Sequence, residues 1–341
     1  MKGVFYMKHS TRACRAFAAA LSCGMIFALA GCGTPANNAS SSASSSAQAA
    51  ITWSETLDGQ KTDYSIAEAP KHAVSMSFAT TEMMLQLGLE DRMAGTAFKE
   101  EDLYPPLAEA YGKVPVLAEK WPSYETLMSV SPDFVTGWET AFSRKGVPAE
   151  KLAGIPIWIP DSMQTTNADL NTLFEDMKTL GRIFHEEQRA DDWVSDQKAK
   201  LAATQDKLKD LPRVRVFVFD SDDQEPFTAF EGYTTNVLKL VGADNVMAGQ
   251  GVDKTWAKTS WESFVAADPE CVIIVDYDTS ARNDDDFQKK VDRLKNDPQL
   301  QNVTAIKQNR FIRVKLSEIT PGVRTVAALE RIAKELHPDM K

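Results

Sequence analysis

The sequence contains an internal repeat. A segment beginning at Ser123 runs Ser, aromatic, Glu, an apolar helical stretch, Pro, an acidic residue and an apolar strand, and this order returns from Ser260. A second pair of segments, beginning at Thr80 and Thr234, recurs in the same order, each a short helix closed by a glycine. A chain that repeats its elements in this way is expected to fold into two similar lobes.

Short apolar runs alternate with longer helical stretches from about residue 51 onward. The predicted strands are 72–78, 92–96, 133–137, 155–159, 213–219, 271–276 and 310–315. The predicted helices are 81–87, 124–130, 234–241, 261–266 and 323–336. This alternation is typical of βαβ units, which cover mostly parallel sheets with helices.

The segment 167–210 contains no proline and a single glycine, Gly181. From Glu186 it is rich in helix-forming residues with apolar positions at helical spacing, and Leu211-Pro212 ends it. We therefore expect an α/β fold of two Rossmann-like lobes, each a mostly parallel sheet flanked by helices, joined by one long helix. The expected divisions are an N-terminal lobe at 52–183, a connecting helix at 184–211 and a C-terminal lobe at 212–341.

The first fifty residues are typical of export. A basic start precedes an apolar run, 16–30, that is shorter than the roughly 20 residues of a membrane span, and Gly31-Cys32 follows. Residues 1–31 resemble a bacterial lipoprotein signal, which predicts lipidation of Cys32 and anchoring at the extracytoplasmic face of the cell membrane. Residues 32–51 are predicted to be a flexible tether because their small polar side chains bury little apolar surface. The alternative is an uncleaved signal anchor with an incidental cysteine.

Composition argues against several classes of function. The chain has 38 basic and 48 acidic residues and a formal net charge of -10, which disfavours nucleic acid as a partner. The few cysteines and histidines are scattered, so we predict no resident metal site and no cofactor. No Gly-x-Ser-x-Gly elbow or glycine-rich phosphate loop occurs, so we predict that the protein is not an enzyme.

Candidate ligand-binding residues follow the predicted strands, because open α/β sheets bind ligands beyond the carboxyl ends of their strands. The aromatic candidates, suited to a flat ligand, are Trp121, Trp138, Phe142, Trp256 and Tyr277. The cationic candidates, suited to an anionic ligand, are Lys120, Arg144, Arg282 and Arg324. The alternatives are that each aromatic ring fills space between helix and sheet and that each cation is solvated. Arg324 stands at a helix start, where the helix dipole does not stabilise a cation. We therefore expect Arg324 to have another partner.

The lipoprotein signal, the tether, the two repeated α/β lobes and the long helix together resemble the substrate-binding proteins of ABC importers for ferric siderophores, haem and cobalamin. The resemblance covers the chain from about residue 52. It implies that Glu125 and Glu262, one in each repeat, dock on the permease dimer; the alternative is a carboxylate that stabilises a first helical turn. It also implies that Trp138 lines the ligand cleft and that Arg324 faces it.

We therefore expect a monomeric receptor that captures a metal chelate between its lobes and delivers it to an ABC permease without chemistry of its own. A ferric siderophore is the first choice, with haem or a corrinoid as alternatives, and the cationic candidates favour an anionic chelate. The competing hypotheses are a metal-tetrapyrrole chelatase-like enzyme, a receptor for a bare metal ion, and a scaffold that has lost its ligand.

Overall fold

The computed structural model describes residues 50–222, 224–252, 254–282 and 284–340. The predicted signal peptide, Cys32 and the predicted tether up to residue 49 lie outside them. The described chain begins with an antiparallel hairpin of β1 (Ile51–Leu57) and β2 (Gln60–Ile66). Its turn residues Asp58 and Gly59 have φ angles of 49° and 77°, as a two-residue hairpin turn requires.

The N-terminal half contains a five-stranded parallel sheet in the order β5-β4-β3-β6-β7. Its strands are β3 (Ala73–Ser75), β4 (Met93–Ala97), β5 (Val116–Ala118), β6 (Phe134–Thr136) and β7 (Ile157–Trp158). The chain order reverses at β3, which lies between β4 and β6. Its helices are α1 (Phe78–Gln86), α2 (Ala108–Tyr111), α3 (Tyr124–Met128), α4 (Leu170–Phe184) and α5 (Glu187–Leu208).

The long connecting helix is α5, somewhat shorter at both ends than the predicted 184–211. His185 separates it from α4 and adopts a left-handed φ of 58°. Trp193 of α5 meets Phe174 of α4 edge-on with ring centroids 6.0 Å apart, and α5 also packs against the last helix of the chain. The connector is therefore fixed to both halves rather than standing free between them.

The C-terminal half repeats the plan with a four-stranded parallel sheet in the order β11-β8-β13-β14. A small antiparallel sheet, β12-β10-β9, lies in the same half. The strands are β8 (Val214–Phe219), β9 (Ser221–Asp222), β10 (Pro226–Ala229), β11 (Ala243–Asn245), β12 (Trp256–Lys258), β13 (Cys271–Val275) and β14 (Phe311–Val314). The helices are α6 (Tyr233–Lys239), α7 (Trp261–Ala267), α8 (Asp286–Asn296), α9 (Thr304–Lys307), α10 (Leu316–Ile319) and α11 (Thr325–Leu336).

The sequence repeat corresponds to two equivalent helices, α3 and α7. Ser123 accepts a hydrogen bond from the backbone N–H of Thr126 at 3.1 Å, and Ser260 accepts one from Ser263 at 3.0 Å, so both helices begin with the same cap. Each helix leads into a strand inside its parallel sheet, β6 or β13. The predicted α/β class with two mostly parallel sheets is confirmed, and every predicted strand overlaps an observed one.

One apolar core runs through both halves. It includes Met83 of α1, Phe174 of α4, Val194 of α5 and Leu329 of α11, all buried. The described part of the chain accordingly forms one compact unit. Within the described residues, no helix is both long enough and apolar enough to span a membrane.

Candidate ligand-binding site

A cavity of about 520 Å³ lies between the carboxyl ends of the two parallel sheets. From the N-terminal half it is lined by Phe78 after β3, Phe98 after β4, Trp121 beyond β5 and Trp138 after β6. From the C-terminal half it is lined by Asp220 after β8, Tyr277 after β13, and Leu316 and Ser317 beyond β14. This is the place where open α/β sheets bind ligands. We call it the aromatic cavity.

Two stacked ring pairs stand in the wall of the aromatic cavity. Phe98 lies parallel to Trp121 with centroids 4.5 Å apart, and Phe227 of β10 stacks on Trp256 of β12 at 6.0 Å. Trp121 Nε1 donates a hydrogen bond to the backbone oxygen of Met76 at 3.0 Å, which fixes the indole. Phe98 adopts a left-handed φ of 59°, rare for a bulky residue and a feature that concentrates at functional sites. These rings offer a pre-formed apolar surface to a flat ligand.

The charged groups that line the aromatic cavity are carboxylates: Glu100, Glu101 and Asp220. No lysine or arginine among the described residues lines it. Tyr277 donates its hydroxyl proton to Asp220 Oδ1 at 2.5 Å, and burial together with that carboxylate raises the pKa of Tyr277. The Glu100 side chain is exposed at the cavity. Desolvation by the protein around it, together with the negative charge of Glu101, raises the pKa of Glu100 to about 7. The cavity is therefore apolar and acidic.

A buried hydroxyl network fixes the start of α1. Ser77 caps the helix, and Thr81 Oγ1 donates to the backbone oxygen of Ser77 at 2.8 Å while lying 2.6 Å from Thr96 Oγ1 of β4. Helix α1 is thereby tied to the strands that precede and follow it. The tie sets the positions of Phe78, which lines the cavity, and Glu82, which faces the C-terminal half.

Arg324, directly before α11, makes a buried ion pair with Glu82 across the two halves. The Nε···Oε2 distance is 2.9 Å and the Nη2···Oε1 distance is 2.5 Å, with side chains 10% and 4% exposed. The Arg324 guanidinium also lies 3.5 Å from Glu101 and stands over the rings of Phe78 and Tyr104, 5.3 Å from each centroid. Burial raises the pKa of Glu82, and the hydrogen bond from Arg324 opposes that rise. The partner expected for Arg324 is this carboxylate, so Arg324 does not face the ligand cavity as the sequence led us to expect.

The loop after β4 adds further bonds between the halves. Glu101 accepts hydrogen bonds from the backbone N–H, at 3.0 Å, and the hydroxyl of Ser317. Asp102 accepts from the backbone N–H of Ser280 at 2.8 Å and from its hydroxyl at 2.7 Å, and these bonds lower the pKa of Asp102. The same loop therefore lines the cavity and joins its two walls.

Two buried carboxyls hold the segment 159–164, of which Ser162–Gln164 line the cavity. Glu55 of β1 accepts from the backbone N–H of Ile159 at 2.9 Å and from the Gln164 amide at 3.1 Å. Asp176 of α4 accepts from the backbone N–H groups of Asp161 and Ser162 at 2.8 and 2.9 Å. Burial raises the pKa of Glu55 and of Asp176 to about 7.

The structure separates the remaining residues singled out from sequence. Trp121, Trp138, Trp256 and Tyr277 line the aromatic cavity. Phe142 does not: it is 1% exposed and packs in the core beneath β6, because the turn after Trp138 directs its ring inward. Lys120 and Arg282 line a second, adjacent cavity, and Arg144 is exposed and lines neither.

Sequence reasoning passed over Phe98, Glu100 and Glu101. All three follow the carboxyl end of β4, which overlaps the predicted strand 92–96. The rule that ligands bind beyond the carboxyl ends of strands therefore applies to them as well. The lining residues Ser162–Thr166 follow β7, which overlaps the predicted strand 155–159, so the same rule would have included them.

The comparison with known proteins agrees with this geometry. A family model described as "Periplasmic binding protein" matches residues 74–316, which is more than half of the chain. The chain therefore belongs to the periplasmic binding protein family. A solved structure described as a periplasmic binding protein from Veillonella parvula dsm 2008 is 63% identical, with a TM-score of 0.85, and the match covers 86% of this chain and 100% of that one.

Two curated relatives are more distant. An uncharacterized ABC transporter substrate-binding lipoprotein, YvrC of Bacillus subtilis (strain 168), is 25% identical over 91% of this chain and 93% of its own length. A vitamin B12-binding protein of Vibrio vulnificus (strain YJ016) is 21% identical over 79% of this chain and 92% of its own length. Membership in this family confirms the prediction that the chain is a binding protein and not an enzyme.

Arg324→Met is expected to lower the free energy of unfolding by about 3–5 kcal/mol, because it leaves the Glu82 carboxylate buried without its cation. Adding Glu82→Gln should restore a large part of that loss. The measurement is urea unfolding followed by circular dichroism. Arg213→Met, which removes an exposed pair with Asp244, is the control and should cost less than about 1 kcal/mol. Equal losses in both arginine variants would contradict a special role for Arg324.

The protein is expected to melt at a higher temperature at pH 5.5 than at pH 8. Glu55 and Asp176 have pKa values of about 7 in the folded protein, above their ordinary values of 4.5 and 3.8, so folding retains protons and stability falls as pH rises toward 7. Each group contributes at most about 1.4 kcal/mol per pH unit. Calorimetry should show a smaller pH dependence for Glu55→Gln than for the exposed control Asp63→Asn. A melting temperature that rises between pH 5.5 and 8 would contradict the account.

Proposed function

We propose that the protein is an extracytoplasmic receptor that captures a metal chelate in the aromatic cavity and delivers it to an ABC permease. The observation that supports this most directly is the presence of two stacked aromatic pairs, one from each half, in the lining of the aromatic cavity. Membership in the periplasmic binding protein family and the names of the two curated relatives point in the same direction. The metal enters as part of the chelate, and the protein needs no cofactor of its own.

The charge of the cavity favours an uncharged or cationic chelate face over an anionic one. Glu100 and Asp220 line the aromatic cavity. The arginine that was expected there, Arg324, forms its ion pair with Glu82 instead. A carboxylate beside a catecholate or a haem propionate is repulsive in a partly buried site. We therefore place a corrinoid or a hydroxamate-type ferric siderophore ahead of haem and of catecholate siderophores.

A bare metal ion is a weaker candidate for the ligand. Among the described residues, no group of three or more His, Cys, Asp and Glu side chains is arranged to hold an ion. Asp220 is engaged by the hydroxyls of Tyr277 and Ser221, and Glu101 by Ser317. An aromatic wall also contributes little to coordinating a hard or borderline cation, whose ligands are oxygen, nitrogen or sulfur.

Glu125 and Glu262 are our proposed docking points for the permease dimer. Both lie in the first turn of equivalent helices, α3 and α7, and both are exposed. Glu125 also has a local role, since hydrogen bonds from its own backbone N–H and from Ser123 lower its pKa. One exposed carboxylate at equivalent positions in each half supports docking on a two-fold partner.

The receptor is proposed to be a monomer held at the membrane by a lipid on Cys32, with the predicted tether 32–51 as the link, although its last residue, Ile51, already belongs to β1. The composition of that segment supports a flexible link, and one relative is named a lipoprotein. Nucleic acid is not a proposed partner, because the net charge is -10.

Titration should show that one uncharged or cationic chelate quenches tryptophan fluorescence with saturation at micromolar or lower concentration. The protein begins at Gln48, ahead of β1, and the panel contains cyanocobalamin, ferrioxamine B, a ferric catecholate, haem and free Fe³⁺. Trp138→Ala and Trp256→Ala should each weaken binding about tenfold through lost ring contact. Trp193→Phe, in the core, is the control and should not change affinity. No response to any chelate would refute the proposed ligand class.

Glu125→Arg combined with Glu262→Arg is expected to abolish uptake of the chelate by cells while leaving its affinity for the purified protein unchanged. Neither residue lines the aromatic cavity, although each follows a lining tryptophan, Trp121 or Trp256, within a few positions. Glu109→Arg, an exposed glutamate in the first turn of α2 that does not line the cavity, is the matched control. Normal uptake by the double variant, or a loss of affinity, would contradict a docking role.

A further inference from the structure

Asp220 follows β8 and lines the aromatic cavity, and it is only 7% exposed. Its carboxylate accepts hydrogen bonds from the hydroxyls of Tyr277, at 2.5 Å, and Ser221, at 2.8 Å. Within the described chain, no lysine, arginine or histidine nitrogen lies within 4 Å of the Asp220 carboxylate. Asp220 is therefore a buried carboxylate whose hydrogen-bond donors are uncharged hydroxyls.

The other buried carboxylates of the described residues are compensated by the protein. Four of them have an arginine or lysine nitrogen within 4 Å: Glu82, Glu101, Asp276 and Asp278. The remaining two, Glu55 and Asp176, accept hydrogen bonds from backbone N–H groups. Among the described residues, Asp220 has neither kind of partner. Because a buried carboxylate is costly without a compensating charge, a ligand in the cavity is the natural source of that charge for Asp220.

Lys290 of α8 is the protein cation that comes near this group, and it is already engaged. Its ammonium lies over the Tyr277 ring, 4.8 Å from the centroid. The same ammonium lies 2.8 Å from the Asp286 carboxylate and donates to the backbone oxygen of Val275 at 2.6 Å. The charge of Lys290 is thus balanced by Asp286 and not by Asp220.

Aromatic rings adjoin Asp220 in the cavity lining. The backbone N–H of Asp220 donates to the backbone oxygen of Phe227 at 3.1 Å, and Phe227 stacks on Trp256. All three residues line the aromatic cavity, as does Tyr277. Ring faces attract an organic cation, and a carboxylate gives its N–H groups strong, charge-assisted hydrogen bonds. This combination suits a protonated amine.

Glu100 brings negative charge to the same cavity from the N-terminal half. Among the described residues it has no cation within 4 Å. Burial and Asp220 raise the pKa of Tyr277, and the charges of Glu101 and Glu100 add to that rise, so these carboxylates act on the Asp220 end of the cavity. The cations of the adjacent cavity are exposed to solvent: Lys99, Lys120 and Arg282. The field at Asp220 therefore favours a positive ligand group.

We propose that Asp220 binds a protonated amine of the ligand beside the rings of Tyr277, Phe227 and Trp256. The ligand class is then a metal chelate with an uncharged metal-binding core and an ammonium arm. This inference deepens the proposed function and rests on it only for the chelate. Among the candidate ligands, a ferric hydroxamate with a free amine fits this site better than a corrinoid without one.

The first test uses the pentylammonium ion alone, so that it does not depend on the chelate, with 1-pentanol as the uncharged match. Isothermal titration calorimetry at low ionic strength should show saturable binding of pentylammonium to the protein beginning at Gln48, about tenfold or more tighter than that of 1-pentanol. Asp220→Asn, which keeps the shape of the side chain, should remove the difference. Asp63→Asn, in the exposed hairpin, should preserve it. Absence of pentylammonium binding, or an unchanged preference in Asp220→Asn, would overturn the proposal.

The second test compares ferrioxamine B, which carries a free ammonium arm, with N-acetylferrioxamine B, which has the same ferric core and no such charge. Fluorescence titration should show that the wild-type protein binds ferrioxamine B about tenfold or more tightly than the acetylated form. Asp220→Asn should weaken the binding of ferrioxamine B to the level of the acetylated form and leave the latter unchanged. Equal affinity of the wild type for both chelates, or equal weakening of both by Asp220→Asn, would overturn the cation site.

Tyr277→Phe separates direct binding by Asp220 from a role in holding the Tyr277 hydroxyl. The variant keeps the ring and the carboxylate, so the preference for ferrioxamine B should persist. Loss of the preference in Tyr277→Phe to the same extent as in Asp220→Asn would contradict direct binding. If neither ferrioxamine binds the wild type while pentylammonium still does, the hydroxamate leaves the proposed function and the cation site remains supported.

Discussion

The ion pair between Arg324 and Glu82 is the contact on which the site depends most. It joins α1, which begins at the carboxyl end of β3, to the start of α11, and its two residues are 242 positions apart in the chain. A charged pair taken out of water repays its desolvation only when geometry is good and the remaining hydrogen-bonding groups are satisfied. Here the guanidinium has two oxygens of Glu82, the backbone oxygen of Asp102 and two aromatic faces. Because those groups come from both halves, satisfying Arg324 fixes the distance between the two sheets.

The continuous core and the connecting helix also hold the two halves at a fixed distance. Helix α5 packs against α4 on one side and α11 on the other, so the link between the halves is part of the core. The loop after β4 then crosses to Ser280 and Ser317. A cleft restrained at so many points is largely pre-formed, so the protein loses less conformational entropy when a ligand binds. Stacked rings such as Phe98 on Trp121 are useful only under that condition, since a rigid planar surface binds well where its position is fixed.

The fold was more predictable than the site. Period-2 and helical patterns are local, so the strands and the repeat were found from sequence, and the cap at Ser123 explains why its helix begins there. The hairpin was missed although Asp58-Gly59 is a strong turn signal. Whether Phe142 points to the core or the cavity depends on one turn after β6, and whether Arg324 meets ligand or protein depends on Glu82, a contact no local pattern reveals. The residues that follow the strands could be read from the sequence. Which of their side chains contact each other across the two halves could be seen only in the structure.

The central claim, that the buried pair sets the separation of the two halves, is tested by a pulsed-EPR distance measurement. In the protein beginning at Gln48, whose one native cysteine is the buried Cys271, spin labels on Glu109→Cys in α2 and Gln288→Cys in α8 report on opposite halves. The account predicts one narrow distance distribution in the otherwise wild-type protein and a broad one after Arg324→Met. A broad distribution before the substitution, or an unchanged narrow one after it, would contradict the account.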